Sequence, residues 1–232
     1  MRATAIVLAA GEGRRIGGET PKSFLPIAGR ALVLRTLDRM FSTKSIEDVI
    51  VVVAASEIKR CQSMLGADAP LRDRSWRLQA GGATRQQSAR RGLAMLSSDA
   101  EIVIIHDGAR PFVSAGLIDR CVEVAAVHGA VVVGLPARDT IKFVNQDGRI
   151  HSTPDRGLLW EIQTPQVFRR ELIVAAHQRA ERDGVEVTDD AMVVERTGTA
   201  VHVIEGERMN FKITVPEDVW LAETLIREGR NP

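Results

Sequence analysis

Cysteine is nearly absent: the 232 residues hold two, Cys61 and Cys121. Two thiols give neither a disulfide framework nor a metal-ligand spacing. Each falls on an apolar helical stripe, Ile58 with Cys61 and Leu65, and Leu117 with Cys121 and Val124. That placement predicts buried structural thiols. Histidine is also sparse, with five residues and no His-x-x-x-His pair, so no zinc site is expected. An excess of either charge is missing. Lys plus Arg total 31 against 30 Asp plus Glu, a net charge of +1. This balance disfavours a protein that coats nucleic acid or an anionic membrane, and any anion site must come from local clustering. Long apolar runs are lacking too. None approaches the ~18 residues of a membrane span. The first run, about seven residues before Gly11, is too short for a signal-peptide core. The expectation is a soluble, cytoplasmic protein that engages neither nucleic acid nor membrane.

What is there is 44% hydrophobic residues, enough for a sizeable core. Short β-branched runs alternate with amphipathic stretches through the first half. Strands are expected at Ala5–Leu8, Val49–Val53, Arg77–Gln79, Ile102–Ile105 and Val131–Gly134. Four of the five are nearly continuous apolar runs, as strands covered on both faces should be. Between them, Ser56 can cap a helix that stops at Gly66, and Thr84 with Gln87 fits a capping box. Ser114 can cap another helix ending at Gly129. Such alternation predicts an α/β fold with a doubly wound, mostly parallel sheet. Ligands of such sheets bind at the carboxyl ends of the strands. Polar clusters at Gly11–Lys22, Gly81–Ser88 and His106–Pro111 each follow a strand, so all three belong on one rim.

After Pro136 the pattern changes. Two short alternating runs flank Asn145-Gln146-Asp147-Gly148, a hairpin signal. An isolated hairpin is marginal in water, so it needs something to pack on. A partner chain would make it the arm of a homodimer; the alternative folds it back on its own domain. Helices are expected again at Glu171–Asp183 and Asp189–Arg196, and strands at Ala200–Ile204 and Phe211–Thr214. Pro216-Glu217-Asp218 opens a last helix with proline first and acids in its first turn. No repeat or linker marks a boundary. Residues 1–232 therefore read as one domain, with a β-arm inserted at about 137–156.

The loop after the first strand, Leu8 to Phe24, is rich in glycine and cations. A dinucleotide fingerprint fails because Ile16 stands at the third glycine position, which disfavours a nicotinamide oxidoreductase. A Walker loop fails because Pro21 precedes Lys22-Ser23. The physics common to both survives: glycines let backbone N–H groups approach a phosphate chain, and Arg14, Arg15 and Lys22 add charge. A polyphosphate site and an ordinary glycine-rich connection both remain open on these residues.

Ala9-Ala10-Gly11-x-Gly13-x-Arg15 with Pro21-Lys22 resembles the signature loop of sugar-nucleotide-type nucleotidyltransferases. Later segments narrow the resemblance to the 2-C-methyl-D-erythritol 4-phosphate cytidylyltransferase family. They are Gly81-Gly82-x-x-Arg85-x-x-Ser88, His106-Asp107-Gly108-Ala109-Arg110-Pro111 and Arg138-Asp139-Thr140. They continue with Asp155-Arg156-Gly157-Leu158, Gln163-Thr164-Pro165-Gln166, Thr188-Asp189-Asp190 and Lys212-Ile213-Thr214-x-Pro216-Glu217-Asp218. The order is the family's, and the motifs span essentially the whole chain. Gly108 departs from the family's usual alanine and removes no polar group.

The resemblance implies a Rossmann-like nucleotidyltransferase fold and cytidylyl transfer from CTP to 2-C-methyl-D-erythritol 4-phosphate, with release of pyrophosphate. Arg15, Lys22 and Lys212 match the catalytic cations, and Asp107 the ligand of Mg²⁺. Ala9, Ala10, Gly11, Gly13, Gly81, Gly82, Ser88 and Gly108 match the nucleotide site, with backbone groups reading the base. Arg110, Thr140, Arg156, Thr164 and Thr188 match the site of the second substrate. Taken alone, Lys212 would pass for an exposed charge, and Arg14 stays a solvated one. The rivals are a cytidylyltransferase for another polyol phosphate, such as ribitol 5-phosphate, and a non-catalytic nucleotide-binding domain. The latter should have lost Lys22, Asp107 or Lys212, and all three are present.

Overall fold

A computed structural model describes residues 2–11, 13, 16 and 20–230. In chain order it begins with β1 (Ala3–Leu8) and a two-residue ladder of β2 (Pro26–Ile27) with β3 (Arg30–Ala31). There follow α1 (Leu32–Phe41), β4 (Ile46–Val53), α2 (Ile58–Ala67), β5 (Trp76–Ala80), α3 (Arg85–Leu93) and β6 (Ile102–Asp107). Next come α4 (Ala115–His128), β7 (Ala130–Pro136), the hairpin β8 (Phe143–Val144) and β9 (Ile150–Ser152), and β10 (Trp160–Arg169). The chain continues through α5 (Arg170–Arg182), α6 (Asp190–Glu195), β11 (His202–Glu205) and α7 (Pro216–Arg227). Seven strands form one sheet in the order β11-β7-β10-β6-β1-β4-β5. Within this sheet the ladders are parallel except the two that β10 makes with β6 and β7.

The continuous apolar runs are explained by what covers them. Ala5, Val7, Val49, Val51 and Ile104 pack with α1, α2 and α4 on one face. Ile6, Ile50, Val52, Val103 and Ile105 pack with α3, α5 and α6 on the other. Side chains alternate across a strand, so the runs Ala5–Val7, Val49–Val53 and Ile102–Ile105 are apolar at successive positions because both faces are buried. Cys61 and Cys121 lie in the first of these layers as free thiols. Burial pushes both thiols up to about 12. A third apolar cluster joins Ala109 and Phe112 to Ile213, Ala222 and Leu225. It docks α7 and the segment before it against the loop that follows β6, with Phe112 and Phe211 stacked at 5.2 Å.

Most helix ends fall where the sequence places them. Thr84 accepts from Gln87 N, Ser114 from Leu117 N, and Asp189 from Met192 N. Two expectations are corrected. Ser56 does not cap α2: it sits inside a single 3-10 turn, Ala55–Glu57, that runs straight into the helix. Phe211–Thr214 is not a strand, because no strand lies beside it; its anchor is Ile213 N donating to Ala109 O at 2.9 Å. One helix, α1, had no expectation at all. Its N-cap is Ala31, with no side-chain bond, so no capping residue announces it.

The hairpin forms as expected, with Asn145 N donating to Arg149 O at 2.9 Å across the turn. It does not fold back on its own sheet. Residues 138–153 are all exposed. Phe143, Val144 and Ile150 are each more than half exposed, at 57%, 55% and 63%. Among the described residues, no helix is long and apolar enough to cross a membrane.

Candidate active site

A cavity of about 630 Å³ opens at the carboxyl ends of β1, β5 and β6, where the topology rule puts a ligand. Its walls come from the loops after β1, β4, β5 and β6 and from a late segment. Ala9, Ala10, Gly11 and Gly13 follow β1, with Lys22 and Ser23 just beyond; Gly81, Gly82, Arg85 and Ser88 follow β5. Asp107 ends β6, and Lys212 arrives from the segment before α7. Most of the wall is backbone and small side chains, which offer fixed donors and acceptors at little entropic cost.

Gly81 and Gly13 are among the glycines required by space. A Cβ on Gly81 would sit 2.5 Å from Ala10 Cβ and 2.9 Å from Ser88 Oγ. Gly13 has φ +70, and a Cβ there would lie 2.4 Å from Lys22 Cβ. The loop thus passes directly over the lysine. The Lys22–Phe24 turn is tied to the end of β1 by Ser23 Oγ donating to Ala9 O at 2.6 Å. Lys22 Nζ donates to Ile213 O at 3.0 Å, which joins the first loop to the segment that carries Lys212. Ser88 is turned inward. Its hydroxyl donates to Thr84 O at 2.9 Å and accepts from Gly82 N at 3.1 Å, holding the Gly81-Gly82 turn on α3.

Asp107 is the electrostatic centre. Lys212 Nζ lies 2.8 Å from its Oδ2, Arg85 Nε 3.3 Å from its Oδ1 and Arg110 Nε 3.7 Å from its Oδ2. Burial opposes its charge, but Arg85, Lys212 and Arg110 outweigh that and hold the carboxyl well below the usual carboxylate range. Its backbone is fixed by Thr164. Asp107 N donates to Thr164 Oγ1 at 3.0 Å, and that hydroxyl lies 3.1 Å from His106 Nδ1. His106 Nε2 faces Arg110 O at 3.1 Å, so it carries the proton and Nδ1 accepts from Thr164. Burial lowers His106 to about 4, and the ring is neutral at pH 7. Arg110 also donates to Asn210 O at 2.7 Å.

The geometry sorts the expected residues into three groups. Ala9, Ala10, Gly11, Gly13, Lys22, Gly81, Gly82, Ser88, Asp107 and Lys212 line one cavity. Gly108, Arg110 and Thr164 stand immediately behind Asp107: Gly108 N donates to Leu8 O at 2.9 Å, and the other two contact Asp107 as described. Thr140, Arg156 and Thr188 are exposed and line no part of the cavity within one chain. Arg156 lies at the base of the hairpin, where its Nη1 donates to Arg138 O. Arg14 and Arg15 lie outside the described residues. Arg85 and Asp190 appear in the motifs but had no role assigned; they form an ion pair, Nη1 to Oδ2, at 2.7 Å. A pair 105 residues apart leaves no local pattern to read. The only signal is that both stand in quoted segments.

A mostly parallel, doubly wound sheet with a cationic, glycine-walled cavity at its strand ends defines a class: a Rossmann-like nucleotidyltransferase. Residues 3–228 match the family profile of 2-C-methyl-D-erythritol 4-phosphate cytidylyltransferase, and the chain belongs to that family. The 2-C-methyl-D-erythritol 4-phosphate cytidylyltransferase of Caldanaerobacter subterraneus subsp. tengcongensis is 39% identical over 228 residues, covering 98% of this chain and 100% of that one. Among solved structures, 4-diphosphocytidyl-2C-methyl-D-erythritol synthase from Anaerococcus prevotii superposes with a TM-score of 0.84 at 31% identity. It covers 97% of this chain and 98% of its own. The 2-C-methyl-D-erythritol 4-phosphate cytidylyltransferase of Thermus thermophilus gives 0.79 at 36% identity, over 98% and 100%.

Proposed function

We propose that this chain transfers the cytidylyl group of CTP to 2-C-methyl-D-erythritol 4-phosphate, giving 4-diphosphocytidyl-2-C-methyl-D-erythritol and pyrophosphate. The observation that carries the reading is that Lys22, Arg85, Asp107 and Lys212, from distant segments, line one cavity, with Arg85 and Lys212 paired to Asp107. A phosphate oxygen of the sugar phosphate attacks the α-phosphorus of CTP in line; the bond to the pyrophosphate oxygen breaks, and pyrophosphate leaves. Such a transfer asks the protein for position and charge neutralisation rather than a nucleophile. The two substrates bring about five or six negative charges together, counting two per terminal phosphate. The ammonium groups of Lys22 and Lys212 are assigned to offset them, and Arg15 the same work from the glycine loop. Backbone groups at Ala9–Gly11 and Gly81–Gly82 hold the base, with Gly108 beside the ribose.

The donor set suits Mg²⁺. Asp107 is the one acidic side chain among the described residues lining the cavity, and no group of three metal-ligating side chains occurs among the described residues. Mg²⁺ commonly takes one or two carboxylates and completes its shell with water and substrate phosphate. Asp107 would hold it, and the ion would supply charge neutralisation to the triphosphate. A pyrophosphate-release assay with CTP, Mg²⁺ and a panel of polyol phosphates tests the reaction. The highest kcat/KM is expected with 2-C-methyl-D-erythritol 4-phosphate. A preference for ribitol 5-phosphate would overturn the acceptor, and release with none would overturn transfer itself.

We also propose a single domain that works as a homodimer in the cytoplasm. The exposed apolar side chains of β8 and β9 need cover, and a second copy supplies it. Arg156 and Thr140, remote from the cavity of their own chain, would then reach the partner's, where Arg156 binds the sugar phosphate. Thr188 is assigned to the same substrate.

A further inference from the structure

Asp190 sits in the first turn of α6, 1% exposed, and lines no part of the cavity. Both carboxylate oxygens are engaged. Oδ1 accepts from His177 Nε2 at 3.0 Å and Oδ2 from Arg85 Nη1 at 2.7 Å. Its backbone N–H donates to Gln166 Oε1 at 2.9 Å. A carboxylate this deep is costly without partners, and these partners fix it in place. What it faces in turn is Arg85. That guanidinium is divided between two acids, with the short bond to Asp190 and the longer contact, 3.3 Å, to Asp107.

The division bears on the metal. Asp107 is surrounded by Lys212, Arg85 and Arg110, so a divalent ion must displace part of that ring. A guanidinium can close on a carboxylate with two parallel bonds, and such a pair is hard to open. We propose that Asp190 is a positioning residue that draws Arg85 away from Asp107, leaving that carboxylate open to the divalent cation that accompanies CTP. This rests on the assignment of the ion to Asp107. In the absence of Asp190, Arg85 turns wholly to Asp107 and the ion competes with a closed pair. A purely structural Asp190, present only to neutralise a buried arginine, would affect stability and leave metal binding alone.

Calorimetric titration of the full chain with CTP, without acceptor, in Mg²⁺ and again in EDTA separates these cases. The ratio of the two affinities is the gain due to metal. Wild type is expected to show a gain and Asp107→Asn to lose it. Asp190→Asn should cut the gain ~tenfold, the usual cost of removing an outer partner of a metal ligand, with a smaller change in EDTA. The substitution is isosteric, and His177 can move its proton because its Nδ1 has no hydrogen-bond partner among the described residues. The double variant Arg85→Gln/Asp190→Asn, which removes the competing cation, should restore the gain. A wild-type gain in Asp190→Asn, or a double variant as poor as the single one, overturns the proposal. If Asp190→Asn does not fold, the double variant decides: a gain at the wild-type level or above supports it, and a tenfold loss overturns it. No gain in wild type, or a gain that survives Asp107→Asn, defeats the metal assignment and the proposal with it.

Discussion

Lys22 lines the cavity from beneath the glycine loop, while its neighbour Ser23 is bonded back to the end of β1. In the proposed reaction its ammonium offsets the charge that accumulates in the transition state. Lys22→Ala should lower kcat by ~100-fold or more, as loss of one preorganised donor does. Steady-state kinetics with an unchanged circular dichroism spectrum checks this; near-normal turnover removes Lys22 from the reaction. The thiols give a second outcome. Cys61 and Cys121 are buried and pushed up to about 12, and the thiolate is the reactive form. Native protein should take up essentially no thiol reagent at pH 8, and both thiols should react once the chain is unfolded in guanidinium. These residues were legible beforehand, the lysine by its motif and the cysteines by their helical stripes. Asp190 was not: its neighbours in sequence say it begins a helix, and only the tertiary structure sets it against Arg85.

At the scale of elements, α3 is both a structural and a functional unit. Thr84 caps it, and Ser88 in its first turn fixes Gly82 on the cavity wall. Thr84→Ala should cost about 1 kcal/mol of stability, the usual worth of such a cap. Urea unfolding measures that, and the same variant should raise KM for CTP more than for the sugar phosphate. The capping signals of α3 and α4 were readable because a short polar side chain at the N-cap has a specific task. Those of α1 and α2 were not. Ala31 makes no side-chain bond, and a 3-10 turn takes the place of a capping residue before α2. Residues 211–214 carry a strand-like apolar alternation, but a strand needs a neighbour. Here Phe211 and Ile213 are spent on the α7 cluster instead.

For the whole molecule, the sheet was foreseen from its continuous apolar runs, but β10 was not. Trp160–Arg169 crosses between β6 and β7 against the direction of both. Its polar Gln163, Thr164 and Gln166 are buried by tertiary contacts, which mask the apolar signal of a central strand. The arm lies at this scale too. Val144→Asp with Ile150→Asp should convert a dimer to a monomer by light scattering; an unchanged mass would exclude the hairpin from the interface. Arg156→Ala should raise KM for the sugar phosphate far more than for CTP, and equal effects would undo its assignment.

The bond from Lys22 Nζ to Ile213 O spans 191 residues of sequence. A ribosome therefore releases the first wall of the cavity long before the last. A nascent chain with its early strands already paired still has an incomplete cavity until the segment bearing Lys212 has emerged. Translation products that stop short of Lys212 should accordingly bind CTP more weakly than the full chain.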